Sequence, residues 1–170
     1  MIYSELRSDT DLLNDLEDAK RVFLIGCPAC ANMSLYIAKA DETKPVMTIT
    51  PTGFKPVSMT EEVDRLSNLF ASKGLDVGFW VGKYPLVTLC VTDEGIRSKL
   101  SEKCQEFETV VTLACDAGAK SVAGILTGKR IIPAMNASGI VNALSRRQMG
   151  YARIFVDKGT VDIIPFTFKS

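Results

Sequence analysis

Short apolar runs alternate along this chain with stretches of helical periodicity, and capping residues punctuate the change from one to the other. Ser8-Asp9-Thr10-Asp11 caps a helix whose apolar positions are Leu12, Leu13 and Leu16, and residues 21–26 then read as a buried strand. Asn32 caps a short helix through residues 35–38, and residues 45–50 have the composition of a second strand. Pro51, Gly53 and Pro56 mark a loop. Thr60-Glu61-Glu62 opens a helix with Met59, Val63, Leu66 and Phe70 on one face and Gly74 as its stop. Two strand-like runs follow at residues 75–81 and 86–91, separated by Gly82-Lys83-Tyr84-Pro85. Thr92-Asp93-Glu94 caps a helix with a buried stripe of Ile96, Leu100, Cys104 and Phe107. A strongly apolar strand at 109–114, a helix opening at Asp116 and a strand at 130–134 complete the series.

Buried strands joined by amphipathic helices predict an α/β fold: a three-layer open sheet, mostly parallel, because parallel strands need crossover helices that cover both faces. The last stretch patterns differently. Residues 152–156 and 161–166 flank Asp157-Lys158-Gly159-Thr160, a turn composition, and predict a C-terminal antiparallel hairpin. No repeat, low-complexity tract or linker interrupts residues 1–170, so a single domain is expected. A chain of this length buries enough surface to do without disulfides. In open parallel sheets, functional residues gather beyond the carboxyl ends of the strands.

Charge and composition remove several classes of function. Twenty basic residues balance 20 acidic ones, and no segment gathers basic and aromatic side chains, so nucleic acid is not an expected partner. No apolar run reaches the length of a membrane span, and the acidic N-terminus does not resemble a secretory signal; a cytoplasmic, reducing compartment is expected. There is no histidine, which removes Ser-His and Cys-His nucleophilic machinery and every zinc site that needs imidazole. Metal chemistry here has to rest on sulfur or carboxylate.

Five cysteines, Cys27, Cys30, Cys90, Cys104 and Cys115, are an odd set for a disulfide framework. Cys27 and Cys30, in Gly26-Cys27-Pro28-Ala29-Cys30, lie just past the first strand. Cys115 lies past a later one, and Cys90 ends the run 86–89. A C-x-x-C between strand and helix also fits a thioredoxin-like redox pair, and any single cysteine is commonly a core residue. Cys104 fits core packing on its helical stripe. The other four all end strands, which makes a four-thiolate site geometrically reasonable, since tetrahedral sulfur suits zinc or the irons of a cluster. Cys115-Asp116-Ala117-Gly118-Ala119 is a small-residue turn at a helix start, where free N–H groups can hold an anion or a thiolate. Asp116, Lys120, Asn136, Arg146 and Arg147 read as capping or solvated residues.

Val22 to Cys30, Cys90, Thr112-Leu113-Ala114-Cys115-Asp116-Ala117-Gly118-Ala119-Lys120 and Ile131-Ile132-Pro133-Ala134-Met135-Asn136 together resemble the core of the MetV-type partner subunit, or C-terminal domain family, of bacterial methylenetetrahydrofolate reductase. The resemblance covers roughly residues 21–139. It implies zinc or iron–sulfur binding with Cys27, Cys30, Cys90 and Cys115 as ligands, and it leaves Cys104 without a counterpart. The family commonly continues into a further cysteine-rich segment that this sequence lacks, so a second cluster is not expected. The resemblance implies an auxiliary electron-transfer subunit carrying one 4Fe–4S cluster, a component of an oxidoreductase complex that exchanges electrons with a flavin-bearing reductase in folate-linked one-carbon metabolism. Two alternatives stay open: a zinc thiolate site, structural or activating a thiol or methyl acceptor, and a dithiol oxidoreductase using Cys27 and Cys30. Assembly as a homo-oligomer is left open too.

Overall fold

The computed structural model describes residues 1–39, 41–83, 88–148 and 153–167. In chain order the elements are β1 (Ile2–Leu6), α1 (Asp9–Asn14), β2 (Arg21–Gly26), α2 (Cys30–Lys39), β3 (Met47–Thr50), β4 (Gly53–Pro56), α3 (Val57–Ser72), β5 (Asp76–Val81), α4 (Glu94–Lys103), β6 (Thr109–Leu113), α5 (Asp116–Ile125), β7 (Arg130–Pro133), β8 (Met135–Gln148) and β9 (Arg153–Pro165). They form two sheets.

The parallel sheet has the order β5-β2-β6-β7. Its middle strands β2 and β6 are buried almost throughout, the pattern of strands covered on both faces. Ile25 pairs with Trp80 on one side and Thr112 on the other. Helix α3 packs on β5 and β2, while α5 packs on β6 and β7. Two caps fall where the sequence places them, the side chains of Ser8 and Asp93 accepting from the N–H groups of Asp11 and Ile96, whereas α3 opens at Val57 after Pro56 rather than at Thr60. The larger hydrophobic core belongs to this sheet and includes Leu24, Ile25, Met59, Phe70, Val111 and Leu113.

The second sheet is antiparallel, with the order β1-β8-β9-β3-β4. It overturns the expectation of one three-layer, mostly parallel sheet: among the described residues four strands are parallel, and five belong to a separate antiparallel sheet. The N-terminal residues form β1, which pairs with β8 (Tyr3 with Gly139, Leu6 with Met135) rather than leading straight into a helix. Residues 47–50 are the first arm of a tight hairpin with β4, closing at Thr50 and Gly53, not a parallel core strand. Gly53 takes φ 115°, a conformation other residues rarely adopt.

The C-terminal hairpin is also placed differently from expectation. Asp157-Lys158-Gly159-Thr160 is not its turn, because β9 runs through these residues as one strand and pairs antiparallel with β8. The register jumps from Leu144 opposite Asp157 to Asn142 opposite Asp162, so residues 158–161 bulge out of the ladder. Asp157 Oδ1 accepts from the Gly159 N–H (3.1 Å), and the Thr160 hydroxyl donates to the Asp157 carbonyl (2.7 Å) and accepts from the Leu144 N–H (2.9 Å). Turn-forming residues here close a bulge on itself. The connection between β8 and β9, at residues 149–152, lies outside the described residues.

Helix α2 joins the two halves. One side packs on β1 and another on α3. Tyr36 contributes to a smaller core with Val46, Met47 and Val156 against the antiparallel sheet. Asn32 is fully buried rather than a cap: its Nδ2 donates to the Val46 carbonyl (3.0 Å) and its Oδ1 accepts from the Met59 N–H (2.9 Å). A single amide thus satisfies backbone groups that border both sheets. Among the described residues no helix is long and apolar enough to cross a membrane.

Candidate functional site

Strand β2 ends at Gly26, where a Cβ would fall 2.8 Å from the Met59 sulfur of α3, so a larger residue would have to push this buried side chain aside. The ladder runs one residue further, with the Cys27 N–H donating to the Leu113 carbonyl (2.9 Å). Cys27 is therefore fixed at the carboxyl end of β2, beside the end of β6. Pro28 and Ala29 make the bend, and Cys30 is the first residue of α2. On the neighbouring strand, Ala114 leads from β6 to Cys115, which occupies the N-cap position of α5 in extended conformation (φ −67°, ψ 165°).

Cys90 arrives by a different route. Residues 86 and 87 of the expected strand lie outside the described residues. Residues 88–91 form a turn closed by the Val91 N–H donating to the Thr88 carbonyl (3.0 Å) and the Thr88 hydroxyl donating to the Val91 carbonyl (3.3 Å). Leu89 points inward and is fully buried, while Cys90 is exposed and Val91 is 77% exposed. The turn rests on the start of α5: a Cβ on Gly118 would lie 2.9 Å from Ala114 Cβ and 3.3 Å from Leu89 Cβ, with the Cys90 nitrogen at 4.0 Å.

Four sulfurs thus collect beyond the carboxyl ends of β2 and β6. Cys27 and Cys115 are only 4% and 5% exposed and form a dry floor, Cys30 is half-buried, and Cys90 stands at the rim. Their charges would act on one another: Cys115 and Cys30 on Cys27, and Cys30 and Cys90 on Cys115. Burial pushes the Cys27 thiol up to about 11, opposed by the backbone N–H groups of Leu89 and Ala29. Burial also raises Cys115, opposed by the N–H groups of Gly118 and Ala117. The Cys115 side chain makes no cap hydrogen bond.

In this arrangement all five cysteines are free thiols. Among the described residues no three Cys, Asp or Glu side chains are drawn together tightly enough to hold a single ion. The donor set nevertheless suits a soft cation or an iron–sulfur cluster: four thiols without histidine, with backbone N–H groups that oppose the rise burial imposes on the two innermost. Loading would displace protons from Cys27 and Cys115, whose thiols burial raises.

Cys104 stays apart from this group. It is the C-cap of α4, fully buried in the larger core, and burial pushes its thiol up to about 11. Asp116 and Lys120 lie exposed on α5, and Asn136 is exposed on β8 opposite Glu5. Arg146 and Arg147 are exposed on β8, with the Arg146 guanidinium 5.7 Å from the centre of the Phe155 ring. A cleft of about 820 Å³ at the opposite, amino end of the parallel strands is lined by Lys20, Arg21, Glu106, Glu108 and Arg130, charges of both signs without sulfur. The sequence pointed to the cysteines and to the Cys115–Ala119 turn, but not to the packing of Leu89 against Gly118. The signal was present in an apolar residue before Cys90 and a glycine three after Cys115.

Comparison with family models, curated proteins and solved structures returns no match to this chain.

Proposed function

We propose that this chain is an auxiliary electron-transfer subunit that holds one 4Fe–4S cluster on Cys27, Cys30, Cys90 and Cys115 and serves a flavin-bearing reductase of folate-linked one-carbon metabolism. The partner and pathway in this reading come from the resemblance to the MetV-type subunit. The site comes from one observation: sulfurs from two adjacent strand ends and a neighbouring turn collect at one edge, with backbone N–H groups opposing the rise that burial imposes on the two buried thiols.

The bound cluster supplies reversible one-electron storage. The chain's own residues do the rest. Cys27 and Cys115 anchor the site where the β2 and β6 backbones are fixed by ladder hydrogen bonds. The N–H groups of Leu89, Ala29, Gly118 and Ala117 offset the charge of the thiolates, the lever by which a protein adjusts cluster potential. Leu89, Ala31 and Ala114 are buried beside these residues and exclude water from the floor. Exposed Cys90 gives the site its outward side, where a redox partner can approach. Outer-sphere electron transfer needs no general base, in keeping with a chain that has no histidine.

Anaerobic purification tests the reading. A brown protein whose visible absorbance bleaches on reduction is the expected result. A colourless protein with one zinc per chain replaces the cluster by a zinc thiolate, and a metal-free protein with a reversible Cys27–Cys30 disulfide replaces both by dithiol chemistry.

A further inference from the structure

Three of the four sulfurs sit on regular structure and one does not. Cys27 continues the β2 ladder, Cys30 begins α2 and Cys115 caps α5. Cys90 rides on the 88–91 turn, held by its own two bonds between Thr88 and Val91 and by the inward plug of Leu89. That plug has room because residue 118 has no Cβ. Leu89 of the same turn is buried in one core cluster with Cys27, and its backbone N–H opposes the rise that burial imposes on the Cys27 thiol, so the element carrying the outermost sulfur also neighbours the innermost one.

We infer that the 88–91 turn, seated on Gly118, is the closing element of the thiol site, and that access to Cys27 is gained by displacing this turn rather than by opening the sheet. Gly118 is then a positioning residue with two tasks: its N–H opposes the rise that burial imposes on the Cys115 thiol, and its missing side chain makes the seat for Leu89. An added methyl has to push against Ala114 at 2.9 Å and Leu89 at 3.3 Å. Ala114 belongs to the chain leaving a central strand and is fully buried, so the turn is the softer of the two neighbours.

The inference builds on the four-sulfur reading of the site, but its test is made without metal. Reduced, metal-free protein is treated with iodoacetamide, and modification is followed cysteine by cysteine with mass spectrometry. In the parent protein Cys90 reacts first, and Cys27 and Cys104 react slowly. Gly118→Ala is expected to speed Cys27 about tenfold, equivalent to an opening made easier by about 1.4 kcal/mol, with Cys104 unchanged. Gly124→Ala is the control: it lies on the same helix with no atom within 4 Å of its added Cβ, and should change neither.

If Gly118→Ala does not fold, Leu89→Ala, which removes the plug without crowding, is read by the same criterion. Unchanged protection of Cys27 overturns the inference. So does an equal rise at Cys27 and Cys104, which means general loosening. Zinc transfer from loaded protein to a chromogenic chelator adds a second readout, expected to be faster in Gly118→Ala. Failure of both proteins to bind zinc or iron removes the metal reading while leaving the alkylation result to decide the role of the turn.

Discussion

Leu89 and Cys27 share one buried core cluster, and the Leu89 N–H lowers the Cys27 thiol against the burial that raises it, a relationship between residues 62 positions apart that ties an exposed turn to the buried end of a central strand. It places a polar backbone group beside a thiol that is 4% exposed, where an unpartnered thiolate would be costly. Leu89 therefore acts through both its ends, as a hydrophobic plug and as a donor.

The four sulfurs should differ from the fifth in a substitution series. Cys27→Ser and Cys115→Ser are expected to abolish metal retention, because each removes a buried soft ligand. Cys90→Ser should weaken retention and speed metal loss while leaving the fold intact, since its side chain is exposed. Cys104→Ala should keep the parent metal content and instead lose stability. Iron and zinc analysis beside thermal denaturation separates these effects, and equal metal content in all four variants contradicts the assignment.

Asn32 should be a strong determinant of stability. Asn32→Ala leaves the Val46 carbonyl and the Met59 N–H without their buried partner. The expected loss is about 2–4 kcal/mol, or a fall in Tm of roughly 5–15 °C for a chain of this size. Asn32→Asp retains the acceptor for Met59 but not the donor to Val46, and should also destabilise. A thermal melt within a degree or two of the parent for Asn32→Ala would show that the two backbone groups find other partners.

Cys104 predicts an alkaline limit to stability. Burial raises its thiol from the ordinary value near 9 to about 11, so the folded state binds this proton more tightly than the unfolded state. Its contribution is fully present below about pH 9 and is lost as pH rises toward 11, with a slope that Cys104→Ala should remove. Urea midpoints of metal-free parent and variant between pH 8 and 11, taken as differences at each pH, check this. A constant difference across that range contradicts it.

The DKGT bulge should matter locally. The Thr160 hydroxyl accepts from Leu144 and donates to Asp157, both bonds lying in exposed surroundings. Thr160→Ala is expected to cost about 1 kcal/mol and to raise amide exchange at Leu144 and Gly159 without touching metal content. Unchanged exchange at Leu144 would remove the structural role of the bulge.

The parallel half of the molecule was legible because β2 and β6 are continuous apolar runs and because Ser8 and Asp93 announce the helices that follow them. The antiparallel half was not. β8 alternates only in its first half, where a glycine takes one buried position and Ile140 and Leu144 face out, and it then carries Ser145, Arg146 and Arg147 exposed, so its hydrophobic pattern does not mark it. Asp157-Lys158-Gly159-Thr160 has the composition of a turn, and the chain uses that composition to close a bulge within β9. Local propensity identifies a place where the backbone departs from the ladder, but pairing across the sheet decides whether it reverses. At the site, Cys27, Cys30 and Cys115 were readable from strand ends. Cys90 sits on a turn instead, and its approach to α5 depends on the missing side chain of Gly118, a long-range contact that no local pattern encodes.

The central claim is that these four sulfurs hold one iron–sulfur cluster, and iron and acid-labile sulfide measured on anaerobically purified full-length protein test it most directly. The account predicts about four irons and four sulfides per chain, retained in Cys104→Ala and absent in Cys27→Ser. Parent protein that carries neither iron nor sulfide when prepared this way, or that keeps both after Cys27→Ser, contradicts it.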